Sequence, residues 1–197
     1  MFVVRNMYSI KENKEFITEI QRSKFICRLI KLNSFDQIDE ELSKIKKDWS
    51  GATHYCYAYL FENKKRCSDD GEPSGTAGMP ILNVLENNDL NNILCVVVRY
   101  FGGIKLGAGG LVRAYTQSVT NTLELTELSE IKKGKKVEII FPYNQDKKIN
   151  YLLSNFTILE KHFDENIKYI FNIFNDDLNI LTDNNIDYNI LEDNIYI

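Results

Sequence analysis

The sequence predicts an α+β protein of two domains, and three observations carry that prediction. Residues 93–98 form an apolar, β-branched run that ends in Tyr100 and Phe101. Five glycines follow within nine residues, and then an apolar-periodic stretch at 111–125. This reads as strand, glycine loop, helix. Lys132-Lys133-Gly134-Lys135-Lys136 next breaks the pattern, and the residues beyond it restart with their own order of short elements. The charge balance also changes there: residues 1–134 carry 18 Lys/Arg and 17 Asp/Glu, whereas residues 135–197 carry 6 and 11. The expected domains are therefore 1–134 and 135–197. A chain of 197 residues suffices for one large core or two small ones.

Residues 7–10 and 15–20 alternate weakly and read as short strands, and residues 24–30 form a better one. Ser34 opens a helix, with Gln37 completing a capping-box pattern. Phe35, Ile38, Leu42, Ile45 and Trp49 then recur at helical spacing as a core-facing stripe. Residues 53–61 are a strand whose period of two puts His54, Cys56 and Ala58 on one face and Tyr55, Tyr57 and Tyr59 on the other. A polar loop is expected at 62–75 and a helix at 76–86, where Pro80 fits only in the first turn. Past the lysine-rich break, strands are expected at 137–141, 157–163, 167–174 and 188–197, with helices at 144–154 and 176–184. The order βαββαβ in about 60 residues matches a ferredoxin-like sandwich.

Composition narrows the function. At 44% hydrophobic and 26% charged, the chain has the make-up of an ordinary soluble protein. No run approaches the ~18 apolar residues of a membrane span. Residues 1–16 show neither a long apolar stretch nor a small-residue cleavage site. A cytoplasmic location without membrane contact is expected. The four cysteines form no CxxC pair, and Cys27, Cys56 and Cys95 lie in strand-like runs where a reduced buried thiol is the ordinary outcome. A non-specific duplex binder carries a strong basic excess. Here any nucleic-acid contact comes from a local patch on the first domain.

Two stretches hold the candidate chemistry. The glycine segment brings Gly102, Gly103, Gly107, Gly109 and Gly110 together with Arg99, Tyr100, Lys105 and Arg113, with no carboxylate between Leu90 and Leu123. A glycine loop leading into a helix presents backbone N–H groups and a positive helix end to phosphate. The same glycines equally serve a tight corner and close helix–strand packing. The spacing G-G-x-x-x-G is not a dinucleotide fingerprint. The second stretch, Ser68-Asp69-Asp70-Gly71-Glu72-Pro73-Ser74-Gly75-Thr76, clusters three carboxylates. Asp69, Asp70 and Glu72 are candidate Mg²⁺ or Ca²⁺ ligands, or turn residues bonded to their own backbone. Glu72 or Asp70 would alternatively pair with Lys105. Ser74 and Thr76 cap the following helix or hold an anion. His54 and Cys56 lack a third group at catalytic spacing, so no catalytic residue is assigned.

Taken together, these motifs resemble the IMPACT/YigZ family. The resemblance rests on Ala52-x-His54-x-Cys56-x-Ala58, on the run from Ser68 through Gly78-x-Pro80, on Val96-Val97-Val98-Arg99-Tyr100-Phe101-Gly102-Gly103, and on Leu106-Gly107-Ala108-Gly109-Gly110-Leu111-Val112-Arg113-Ala114-Tyr115. Arg22-Ser23-Lys24-Phe25-Ile26 resembles an early basic-aromatic motif of the same family. The likeness covers most of residues 20–120. It implies an N-terminal α+β domain similar to a ribosomal-protein domain and to domain IV of elongation factor G, followed by a ferredoxin-like domain similar to that factor's domain V. It also implies a nucleic-acid or ribosome contact with no defined reaction, and a translation-associated regulatory protein that binds RNA or the ribosome is expected, without a cofactor. A translation-factor protein is a second candidate partner. The alternatives are a metal-dependent enzyme acting on a phosphorylated small molecule and a protein-interaction module.

Overall fold

The computed structural model describes residues 6–197, and the chain divides into two compact units, Met1–Glu130 and Ile131–Ile197. In the first, β1 (Met7–Ile10), β2 (Lys14–Ile20) and β3 (Ser23–Lys31) lead to α1 (Gln37–Asp48), then β4 (His54–Phe61) and β5 (Lys64–Ser68). Helix α2 (Gly78–Asn87), β6 (Ile93–Tyr100), α3 (Gly107–Glu124) and β7 (Leu128–Ile131) follow. Strands β2 to β6 make one antiparallel sheet in the order β2-β3-β6-β4-β5, and β1 pairs with β7.

This sheet is covered on both faces, which explains the unbroken apolar run of its central strand. Along β6, Ile93, Cys95 and Val97 point into the core shared with α2 and α3, while Leu94, Val96 and Val98 point to the core that α1 covers. The same alternation sends Cys56 and Ala58 of β4 towards α2 and α3, and Tyr55, Tyr57 and Tyr59 towards α1, as period two predicts. Burying a strand on both sides removes the polar positions that normally mark alternation.

Helix α1 behaves as its spacing indicates. Ile38 and Ile45 are buried, Leu42 and Trp49 pack beside them, and Phe35 meets Tyr59 edge-on at 5.8 Å. The Gln37 side chain reaches back to accept from the backbone N–H groups of Asn33 (2.7 Å) and Ser34 (3.4 Å). Pro80 occupies the first turn of α2, where its missing N–H costs no helical bond.

Three expectations in this unit need correction. The polar loop at 62–75 contains a strand, β5, whose lysines and arginine are exposed on a sheet edge. Charged edge strands carry no apolar alternation and so leave no periodic signal. The glycine loop is shorter than expected: Gly107, Gly109 and Gly110 belong to α3. Low helix propensity is overridden there because Gly107 starts the helix at φ +69° and needs no Cβ. Strand β7 at 128–131 was also not foreseen; its four residues are too few for a pattern.

The second unit contains β8 (Lys133–Phe141), α4 (Asp146–Leu152), β9 (Ile158–Phe163), β10 (Ile167–Phe174), α5 (Asn179–Thr182) and β11 (Tyr188–Tyr196). A 3₁₀ turn precedes each helix. The four strands are antiparallel in the order β11-β8-β10-β9. Val137, Ile139, Phe141, Tyr169, Phe171 and Ile173 supply one buried face, closed by Ile149 and Leu181. The lysine-rich break lies largely within β8: Lys133 to Lys136 pair with β11, and Gly134 lies against the Ile173 carbonyl at a distance that leaves no room for a Cβ.

Candidate functional site

The two motif-rich stretches meet where β4 and β6 end. His54 and Arg99 are direct cross-strand partners, and both side chains project to the α2/α3 side. Past Arg99 the chain turns sharply. Gly102 presses on the backbone of Arg22, and a Cβ there would overlap the Arg22 carbonyl. The Gly102 N–H donates to Ser23 Oγ (3.2 Å), and the Phe101 N–H donates to Thr53 Oγ1 (3.1 Å). This close approach is what the Gly102 position requires.

The loop at 68–78 is held from within. Asp69 Oδ1 accepts from the N–H groups of Ala77 (2.9 Å) and Gly78 (2.8 Å), and Oδ2 accepts from Gly75 (2.9 Å). Partial burial works to raise the Asp69 pKa, yet the three N–H donors hold the carboxyl below its ordinary value. Asp69 is therefore the cap of α2, reached from eight residues upstream rather than from the usual adjacent position. Asp70 Oδ2 accepts from the Tyr55 N–H (2.7 Å), and the Thr76 hydroxyl donates to the Pro73 carbonyl (2.6 Å).

Glu72 turns inward. Its side chain is 3% exposed, and its Oε1 accepts from Arg99 Nη1 (2.6 Å) and from the Tyr115 hydroxyl (2.8 Å). Glu72 thus pairs with Arg99, not with Lys105. The two stretches are locked by a buried ion pair whose Arg99 member is 5% exposed. A second Arg99 nitrogen, Nη2, donates to Ser23 Oγ (3.4 Å), and its Nε–H has no acceptor among the described residues. The Cys56 thiol lies within reach of the Asp69 carbonyl (2.9 Å) and of Tyr115 Oη (3.2 Å). Burial pushes the Cys56 pKa up to about 12, and burial likewise raises that of Tyr115. A thiol held neutral in this way is no nucleophile.

His54 lies beside this cluster. Its Nδ1 is 2.8 Å from the Asp70 carbonyl, which only accepts, so Nδ1 carries the proton. Its Nε2 lies 3.8 Å from Glu72 Oε2. His54, Glu72 and Arg99 line a cavity of about 420 Å³. Pro73, Phe101, Leu106 and Leu111 form its apolar wall, and Lys105 stands with Gly107 and Ala108 where α3 begins. Helix α3 has no side-chain cap and no acidic residue in its first turn.

The sequence-derived residues therefore separate. Lys105, Gly107, Gly109, Gly110 and Arg113 gather at the start of α3, where Arg113 lies 3.7 Å from the position a Gly109 Cβ would take. Gly103, at φ +85°, sits in the turn before it. Arg99 lies beneath them, buried. Tyr100 faces the opposite side of the sheet, where its hydroxyl donates to the Trp49 (3.0 Å) and Ser50 (3.1 Å) carbonyls. Strand alternation separates it from Arg99. Asp69, Asp70 and Glu72 aim at different donors, and among the described residues no three His, Cys, Asp or Glu side chains converge to hold a metal ion. Ser74 is exposed. Sequence reasoning gave Tyr115, which lies within the apolar stripe of α3, no role of its own, and His54, paired with a loop carbonyl, carries no catalytic assignment. Its pairing with Arg99 depends on strand register, for which the sequence carries no short-range signal.

Residues 21–123 match the Impact N-terminal domain family. The chain is 40% identical over 172 residues to the IMPACT family member YvyE of Bacillus subtilis, which spans 85% of this chain and 79% of that protein. It is 39% identical over 166 residues to an IMPACT family member of Haemophilus influenzae, covering 80% of each. Protein IMPACT of Danio rerio is 37% identical over 101 residues, 47% of this chain and 31% of that protein. A crystal structure of a hypothetical protein superposes with a TM-score of 0.72 at 24% identity, covering 96% of this chain and 98% of that one, a likeness of fold. No helix of the described residues is long and apolar enough to cross a membrane.

Proposed function

Because the chain belongs to the IMPACT family, we propose that it acts in translation-associated regulation by binding RNA, free or within the ribosome. The binding surface is the start of α3. The observation that carries this reading is the coincidence of three features there: an uncapped helix N-terminus, two cations, and an exposed aromatic ring. Lys105 and Arg113 have no ion-pair partner among the described residues, and Phe101 is 46% exposed. Backbone N–H groups and cations meet phosphates, and an open ring stacks on unpaired bases. Arg99 and Glu72 underlie the surface and fix its position, while Gly103 and Gly107, where a Cβ would meet nothing, let its backbone approach a ligand closely.

The likeness to translation-factor domains belongs to the same proposal. The strand order β11-β8-β10-β9, with a helix after β8 and after β10, supports a ferredoxin-like second unit. The five-stranded sheet with α2 and α3 together on one face supports an elongation-factor-like first unit. The near-neutral charge of the first 134 residues favours a small number of directed phosphate contacts over a general polyanion surface.

Filter binding of single-stranded and structured RNA across a salt series tests the reading. The wild type retains RNA at low salt, and the double variant Lys105→Glu/Arg113→Glu does not. The slope of log K against log salt falls by about 0.7 per single-strand phosphate contact removed. Retention that is indifferent to the two substitutions overturns the proposal.

A further inference from the structure

The cavity beside α3 has chemistry more specific than a surface for polyanions. Its polar groups fall into two sets. On one side are donors: the first-turn N–H groups of α3 at Gly107 and Ala108, which have no intrahelical partner, and the Lys105 ammonium. On the other is an acceptor, the Glu72 carboxylate, with His54 Nε2 beside it at 3.8 Å. Phe101, Leu106 and Leu111 supply an apolar wall between them. Beneath lies Arg99, 5% exposed, whose Nε–H finds no acceptor among the described residues. Glu72 and Arg99 neutralise each other, so Lys105 and the helix end leave a net positive field.

A ligand that fits carries an anion at one end, hydroxyl donors along its length and a flat apolar body. We propose that this cavity binds a single ribonucleoside 5′-phosphate unit. The phosphate meets the α3 N–H groups and Lys105. The ribose hydroxyls donate to Glu72 and hydrogen-bond His54 Nε2, and the base lies on Phe101. The volume of about 420 Å³ falls in the range of small-molecule sites. The carboxylate argues against a second phosphate deeper in the cavity, which would meet Glu72 directly. The unit is either a free nucleotide or the 5′ end of an RNA chain. The proposal shares its surface with the RNA reading above but does not need RNA retention.

Calorimetric titration of the full chain with adenosine 5′-phosphate, adenosine, ribose 5-phosphate and inorganic phosphate tests it. Adenosine 5′-phosphate binds at one site with a Kd of about 1 mM or tighter, at least tenfold more tightly than adenosine or inorganic phosphate, with ribose 5-phosphate between. Ala108→Glu places a carboxylate in the exposed first turn of α3, where it suits the helix dipole and leaves the fold intact. It abolishes binding while keeping or raising Tm. His54→Gln weakens adenosine 5′-phosphate more than its 2′,3′-dideoxy form, and Lys161→Ala, in the other unit, changes nothing. Equal affinity for adenosine and its 5′-phosphate, or unchanged binding by Ala108→Glu, overturns the proposal.

A 5′-phosphorylated RNA that outcompetes its 5′-hydroxyl twin for the site identifies a chain end as the ligand, and equal competition identifies the free nucleotide. Nucleotide binding without RNA retention sinks the RNA reading alone. RNA retention without nucleotide binding sinks this one alone.

Discussion

Removing the Asp69 carboxylate should unravel the start of α2 at a cost that follows from its three bonds. Two of the N–H groups it holds, on Ala77 and Gly78, are buried; the third, on Gly75, is exposed. In Asp69→Ala the Gly75 N–H turns to water at little cost. The two buried donors lose their acceptor, and an orphaned buried donor costs about 1–3 kcal/mol. The expected loss is about 2–6 kcal/mol, above the ~1 kcal/mol typical of a lost helix cap. Asp69→Asn is the informative companion, because its remaining carbonyl oxygen can keep Ala77 and Gly78 while its amide faces only Gly75. It should cost about 1 kcal/mol, near a single neutral-for-charged exchange. Urea unfolding followed by far-UV circular dichroism reads both, as a lower midpoint at constant slope. The pH dependence adds a second check. The folded pKa of Asp69 lies below its ordinary value of 3.8, so its contribution is present above that value and is lost as pH falls through the folded pKa. The gap between wild type and Asp69→Ala should therefore close in strong acid. Equal losses for the Ala and Asn variants would refute the capping assignment.

Other outcomes follow from the same cluster. Glu72→Ala leaves Arg99 charged and buried without its carboxylate, and should cost about 3–5 kcal/mol in a urea titration. Tyr115→Phe keeps the edge-on contact with Phe25 at 5.3 Å but removes a donor to Glu72; a loss of about 1–2 kcal/mol is expected from the same measurement. Gly102→Ala forces a methyl into the Arg22 backbone and should lower stability by more than about 2 kcal/mol, whereas Gly103→Ala, whose Cβ meets nothing, pays only for its φ of +85° at about 1 kcal/mol. Thiol titration of the native protein with a small alkylating reagent should label Cys67 first, because it is the only one of the four cysteines that is not buried.

Much of the fold was legible because its cores write themselves into period. The α1 stripe, the two faces of β4 and the strands of the second unit all follow from apolar spacing. What escaped the sequence had no such spacing. Strand β5 is a charged edge, and β7 is four residues long. The early start of α3 runs through glycines that local propensity counts against a helix. The site divided along the same line. The two motif stretches were visible as compositional events, and their meeting on one domain was expected. Which side chain each carboxylate would choose was not, because Glu72–Arg99 and His54–Arg99 are set by the register of β4 on β6 and by the path of a loop 27 residues away in sequence. Tyr100 is a different case: adjacent to Arg99 in one strand, it is placed on the other side of the sheet by the same period of two that sorted β4.

The Tyr115 hydroxyl joins three segments that are distant in the chain: the middle of α3, the loop at Glu72, and Cys56 on β4. A polar, glycine- and serine-rich loop ordinarily opens on its own, with its amides exchanging quickly with solvent. Here the loop is tied from below to a fully buried aromatic ring and from its own side to Asp69. The amides of Ala77 and Gly78 should then exchange at rates near those of β6, through unfolding of the whole unit and not through local opening. The start of α2, though it follows a loop of turn residues, is then as slow to open as the sheet it packs on.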